Sequence, residues 1–117
     1  MELNYKNPDI TVQTIKQGND LIIRIFGGAA HIGSVAVAEP RKSLTGDGTN
    51  SATVSVINYC GHMDDALAVP IAKKVCSYAN VNTVVICGVH FDKITQETID
   101  TVKNLVDQIA QDIILGL

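Results

Sequence analysis

The stretch Val81-Asn82-Thr83-Val84-Val85-Ile86-Cys87 limits the possible folds of this chain most sharply. It is β-prone and apolar at positions of both parities, the pattern of a strand covered on its two faces. Segments of helical period lie on either side of it. From Met63 to Ala79 the residues Leu67, Ile71, Val75 and Tyr78 recur at spacings of four, four and three. Beyond the strand, Ile99, Val102, Val106, Ile109 and Ile113 form one stripe, opened by Thr95 as N-cap with Ile94 and Ile99 at staple positions. A central strand needs neighbours, and the first half of the chain supplies them. Ile10 to Lys16 alternates apolar and polar residues, meets a turn at Gln17-Gly18-Asn19-Asp20, and continues as Leu21 to Phe26, which reads as an opening hairpin. A third strand is expected over Ser34–Glu39, with Val35 and Val37 on one face. A fourth is expected over Ser51–Asn58, with Val54 and Val56 on one side and Ser55 and Ile57 on the other. The Pro-, Gly- and Ser-containing run Pro40–Asn50 reads as the one long loop. Asp64 reads as a cap near the start of the first helix, whose regular part starts near Pro70 or kinks there. The order β-β-β-β-α-β-α predicts an α+β fold: a mostly antiparallel five-stranded sheet with two helices.

A length of 117 residues suits one domain spanning residues 1–117, and 46% apolar against 18% charged residues is enough to form a core. A mean hydropathy of +0.20 is high for a small monomer and predicts a homodimer or larger homo-oligomer. With 9 basic and 12 acidic residues, no Trp and only Tyr5, Phe26, Tyr59, Tyr78 and Phe91 as aromatics, the chain is not composed like a nucleic-acid binder. Three cysteines make no disulfide framework, so a reducing, cytoplasmic setting is expected. Met1–Asp9 lacks the apolar core of a signal peptide, and no run of about 18 apolar residues is present to span a bilayer.

Strands joined by short turns reverse direction, and a helix after the fourth strand returns the chain for the fifth. The ends of strands two, four and five therefore share one edge of the sheet. All three histidines fall there, in Gly28-Ala29-Ala30-His31, Gly61-His62 and Gly88-Val89-His90. Glycine lets the backbone approach a ligand closely, and imidazole offers polar or metal-ligating nitrogen near neutral pH. A single histidine at a strand end is ordinarily a turn residue; three of three in parallel contexts point to a shared site. Asp64, Asp65 and Asp92 join them, although each is also what a helix start or loop favours unaided. Cys60 and Cys87 read as small buried strand-end hydrophobes, and Cys76 as a helix-core residue. The Gly27-Gly28 turn could nest a phosphate, but it matches neither a Walker loop nor the dinucleotide fingerprint. Arg41 and Lys42 belong to the loop at the opposite edge. No nucleophile elbow, His-Glu-x-x-His or zinc-ribbon spacing is present. A divalent ion on His31, His62 and His90 remains open, and with it a metal-dependent small-molecule enzyme using Asp64 or Asp92 as base.

The runs Ile25-Phe26-Gly27-Gly28-Ala29-Ala30-His31-Ile32-Gly33, Gly61-His62-Met63-Asp64-Asp65 and Gly88-Val89-His90-Phe91-Asp92 occur in an order that resembles the prenylated flavin chaperone (LpdD-like) family. The similarity covers about residues 20 to 115. It implies a non-catalytic carrier that takes reduced prenylated FMN from a flavin prenyltransferase, protects it, and passes it to an aromatic-acid decarboxylase. It also implies that Gly27, Gly28, His31, Gly33, Gly61, His62, Asp64, Gly88, His90 and Asp92 surround the cofactor; the chain itself can supply Phe26, Tyr59 and Phe91 near the same edge as apolar walls. Cys60 and Cys87 lie outside that pattern. A structural accessory subunit of a decarboxylase, holding no ligand, is a further alternative.

Overall fold

A computed structural model describes residues 1–59, 64–92 and 94–117. The elements are β1 (Glu2–Tyr5), β2 (Ile10–Gln17), β3 (Asp20–Gly28), β4 (Ser34–Lys42), β5 (Asn50–Asn58), α1 (Asp65–Ala79), β6 (Thr83–His90) and α2 (Gln96–Leu115). The fold is α+β, and among the described residues it has two helices and a six-stranded mixed sheet of order β1-β2-β3-β6-β4-β5. The doubly apolar segment is indeed central. β6 pairs in parallel with β3 and antiparallel with β4, so it parts two strands that follow each other in the chain. The other pairs among the described residues are antiparallel.

Alternation in the strands sorts residues onto two unequal faces. Val12, Ile25, Cys87 and Ser34 lie in one cross-strand row, and Ile23, Val85 and Ala36 in the next. All of these are buried, together with Leu67, Ala68, Ile71, Ala72 and Val75 of α1 and Val106, Ile109, Ala110 and Ile113 of α2, so both helices cover this face. Alanines on both sides, Ala36 and Ala38 on β4 against Ala68 and Ala72 on α1, leave little side-chain bulk between helix and sheet. The buried Ser34 hydroxyl is satisfied by donating to Asn58 Oδ1 at 2.7 Å.

Several local expectations hold. The opening hairpin closes at Gln17–Asp20, with Gly18 at φ 61°. Thr95 caps α2 by accepting from the Thr98 amide at 3.2 Å. Val54 and Val56 alternate with Ser55 and Ile57 along β5.

Other expectations need correction. The sheet gains a sixth strand, β1, which hydrogen-bonds to β2 and is held to α2 by the Tyr5 hydroxyl donating to Asp112 at 2.7 Å. Strand β4 runs on through Pro40, Arg41 and Lys42, which were expected in the loop, so the loop shortens to residues 43–49. At Pro40 the strand has outrun β6 and borders only β5, a place where a strand tolerates a residue without an N–H. Helix α1 begins at Asp65 and continues through Pro70 rather than starting there. Tyr78, placed on its buried stripe, is 64% exposed, because the sheet side of that turn is filled by Val75 and Cys76. No helix among the described residues is long and apolar enough to cross a membrane.

Candidate functional site

The strand directions bring the ends of β3, β5 and β6 to one edge, as the sequence implied. The segment between β3 and β4 arches over the end of β6. The Ala29 amide donates to the His90 carbonyl at 3.0 Å, and the Gly33 amide donates to the Cys87 carbonyl at 2.9 Å. This crossing carries His31 onto His90, with ring centroids 6.0 Å apart and planes at 85°. Two glycines make it possible. A Cβ on Gly88 would overlap the His31 carbonyl, and one on Gly28, at φ +67°, would overlap the His90 carbonyl. The close approaches at these two positions are therefore taken up by the chain's own backbone.

Asp64 occupies the N-cap position of α1 without capping it by its side chain. The carboxylate turns toward the sheet edge instead. Its Oδ1 accepts from the Val89 amide at 2.8 Å, and its Oδ2 lies 3.4 Å from His31 Nε2. His31 Nδ1 lies 3.0 Å from the Ala29 carbonyl, which can only accept, so Nδ1 carries the proton there. Asp64 is buried and sits where the positive end of α1 favours an anion. One carboxylate thus ties together the first turn of α1, the end of β6 and the His31 loop.

A cleft of about 250 Å³ opens beside this cluster. Its walls are apolar: Leu67 of α1, Val89 and Phe91 at the end of β6, and Ile94, Ile99 and Val102 at the start of α2. Its polar lining is Asp64, His90 and Lys103.

Among the residues picked out from the sequence, His31, Asp64 and His90 are brought together, with Gly28, Gly33 and Gly88 shaping the crossing. Gly27 is buried on β3, with Phe91 nearby. Asp92 is exposed, 3.5 Å from His90 Nε2, and does not line the cleft. Gly61 and His62, with Cys60, lie outside the described residues. Phe91 walls the cleft, and Tyr59 is exposed at the end of β5. Phe26 reaches the same edge but on the other sheet face, under the Arg24 guanidinium at 5.2 Å. Cys87 is a buried strand-end hydrophobe, as the sequence predicts. Burial, with the charge of Asp64 second, pushes its thiol well above the ordinary value, which leaves it a poor nucleophile. Among the described residues no three His, Cys, Asp or Glu side chains are grouped to hold a metal ion. Ile99 and Val102, read from the sequence as part of the core stripe of α2, line the cleft instead, and Lys103 beside them carries no motif in the sequence. The signal for the cleft is the length of that stripe, which starts at Ile99, about two turns before the buried part at Val106, Ile109 and Ile113.

A mixed sheet covered by two helices on one face, with an apolar cleft and a histidine–aspartate cluster at one edge, defines an α+β domain with a candidate ligand site at that edge. The family model for the prenylated flavin chaperone LpdD-like domain matches residues 4–117, and the chain belongs to that family. Among curated proteins, none matches it.

Proposed function

We propose that this protein is a non-catalytic carrier that binds reduced prenylated FMN in the edge cleft and hands it to a decarboxylase. The observation that carries this reading is the juxtaposition of an apolar slot with the His31–Asp64–His90 cluster, in a chain of this family. A flavin needs aliphatic and aromatic walls for its ring system and a few polar groups to orient it. Leu67, Val89, Phe91, Ile99 and Val102 supply the walls, and His90 the polar contact. A slot of about 250 Å³ is smaller than the roughly 300–1,000 Å³ of sites that enclose drug-sized ligands. It therefore covers only part of the cofactor's surface and leaves the rest accessible, which suits a protein that must release its cargo to a partner.

Anaerobic titration of the apo-protein with FMN and with prenylated FMN tests this. Saturable binding is expected, weakened at least tenfold by His90→Ala, and also by His31→Ala through loss of the ordered crossing. A protein that binds neither flavin, or whose affinity ignores both substitutions, would not be this carrier.

The same reading includes a homodimer formed through the uncovered sheet face. Ile15, Val37 and Ile57, which are 49%, 47% and 70% exposed, share that face with Ile22, Val35, Val84 and Ile86. An apolar patch of this kind, rimmed by polar residues, is characteristic of interfaces. Its rim carries both signs, Arg24 and Arg41 against Glu2, Asp20 and Glu39, so a two-fold related copy would meet complementary charge. Light scattering coupled to gel filtration should give twice the chain mass, and the double variant Val37→Asp, Ile57→Asp should give the monomer mass. A wild-type monomer would end this part of the reading.

A further inference from the structure

Lys103 is the only permanently cationic side chain on the cleft wall among the described residues. Its position on α2 is set by the apolar stripe: Ile99 is one turn before it, about 6 Å along the axis, and Val102 is its neighbour. Lys74, on the neighbouring helix, is neutralised by Asp107. No ion pair among the described residues involves Lys103. The acid of the cleft, Asp64, is engaged by the Val89 amide and His31, so it does not neutralise this ammonium. A free cation at the border of an apolar slot suits a ligand with a flat apolar body and an anionic tail.

We propose that Lys103 receives the phosphate of the bound flavin mononucleotide, so that the cleft selects phosphorylated flavins over the uncharged riboflavin. This rests on the flavin-carrier reading. The ring system lies between the Ile99–Val102 stretch of α2 and the Leu67–Val89 side, and the phosphate comes to the α2 wall at Lys103. The Gly27-Gly28 turn, the phosphate nest suggested by the sequence, is a poorer candidate: the space beside Gly28 is filled by the His90 carbonyl, and that beside Gly27 by the Asp9 carbonyl and the Phe91 ring.

The test compares the affinities of FMN and riboflavin for the full chain and for Lys103→Gln and Lys103→Arg, by anaerobic fluorescence titration at low and high salt. Lys103 is exposed, so neither substitution should disturb folding. The wild type is expected to prefer FMN by roughly tenfold, the worth of one charge-assisted contact, with the preference shrinking at high salt. Lys103→Gln should abolish the preference by weakening FMN alone, and Lys103→Arg should keep it. Equal affinity of the wild type for the two flavins, or an FMN preference that survives Lys103→Gln, overturns the assignment and leaves the carrier reading intact. If neither flavin binds, the carrier reading falls and takes the Lys103 assignment with it.

Discussion

Replacing Gly88 by alanine is expected to cost about 3 kcal/mol of stability and to abolish flavin binding, because the new methyl group would occupy the place of the His31 carbonyl oxygen. The obstacle is backbone, so no rotamer change relieves it. Either the arch over β6 lifts, taking the Ala29–His90 and Gly33–Cys87 hydrogen bonds with it, or β6 shifts against β3 and β4. Both outcomes separate His31 from His90. A control distinguishes this from the general cost of replacing glycine. Gly46, at φ +75° in the 43–49 loop, has open space around its Cβ direction, so Gly46→Ala should cost only about 1 kcal/mol of backbone strain and leave binding untouched. Urea denaturation with linear extrapolation reads both values. Equal losses for the two variants would mean that the crossing is not what holds the edge together.

The parts of this architecture legible in the sequence are those set by neighbours along the chain. The doubly apolar β6, the hairpin at Gly18, the Thr95 cap and the shared direction of three strand ends follow from period, turn chemistry and chain reversal, and each stands as read. The features that escaped depend on partners far away in sequence. β1 has too few apolar residues to announce itself, and its anchor, Tyr5 on Asp112, spans almost the whole chain. Pro40 signals a loop until it is known that β6 stops short of it. Insertion of β6 between β3 and β4, which creates the parallel pair of β6 with β3, is a choice of hydrogen-bond partner that periodicity does not report. The cleft escaped for a similar reason. Ile99 and Val102 have the same spacing as the buried part of α2, and only the packed chain shows that they line a cleft instead of the core.

Asp64 shows how a residue can follow a local rule and serve a distant purpose, and the second large effect is expected there. An aspartate before a helix suggests a cap, yet its carboxylate accepts from Val89 at the end of β6 and faces His31. Asp64→Leu should therefore destabilise the protein by about 3 kcal/mol: it strands a part-buried amide, at about 1–3 kcal/mol, and removes a favourable anion from the start of α1, at about 0.3–1 kcal/mol. Asp64→Asn keeps an acceptor for Val89 and should lose only about 1 kcal/mol. Hydrogen exchange at the Val89 amide gives the local readout: protection should vanish in the leucine variant and largely survive in the asparagine variant. Flavin affinity should fall in the same order, because Val89 and His90 line the cleft and His31 is held by the same carboxylate. A leucine variant that stayed stable with Val89 still protected would show that the edge is assembled by the glycine crossing alone. Loss of binding without loss of stability would instead mean that Asp64 acts on the ligand rather than on the backbone around it.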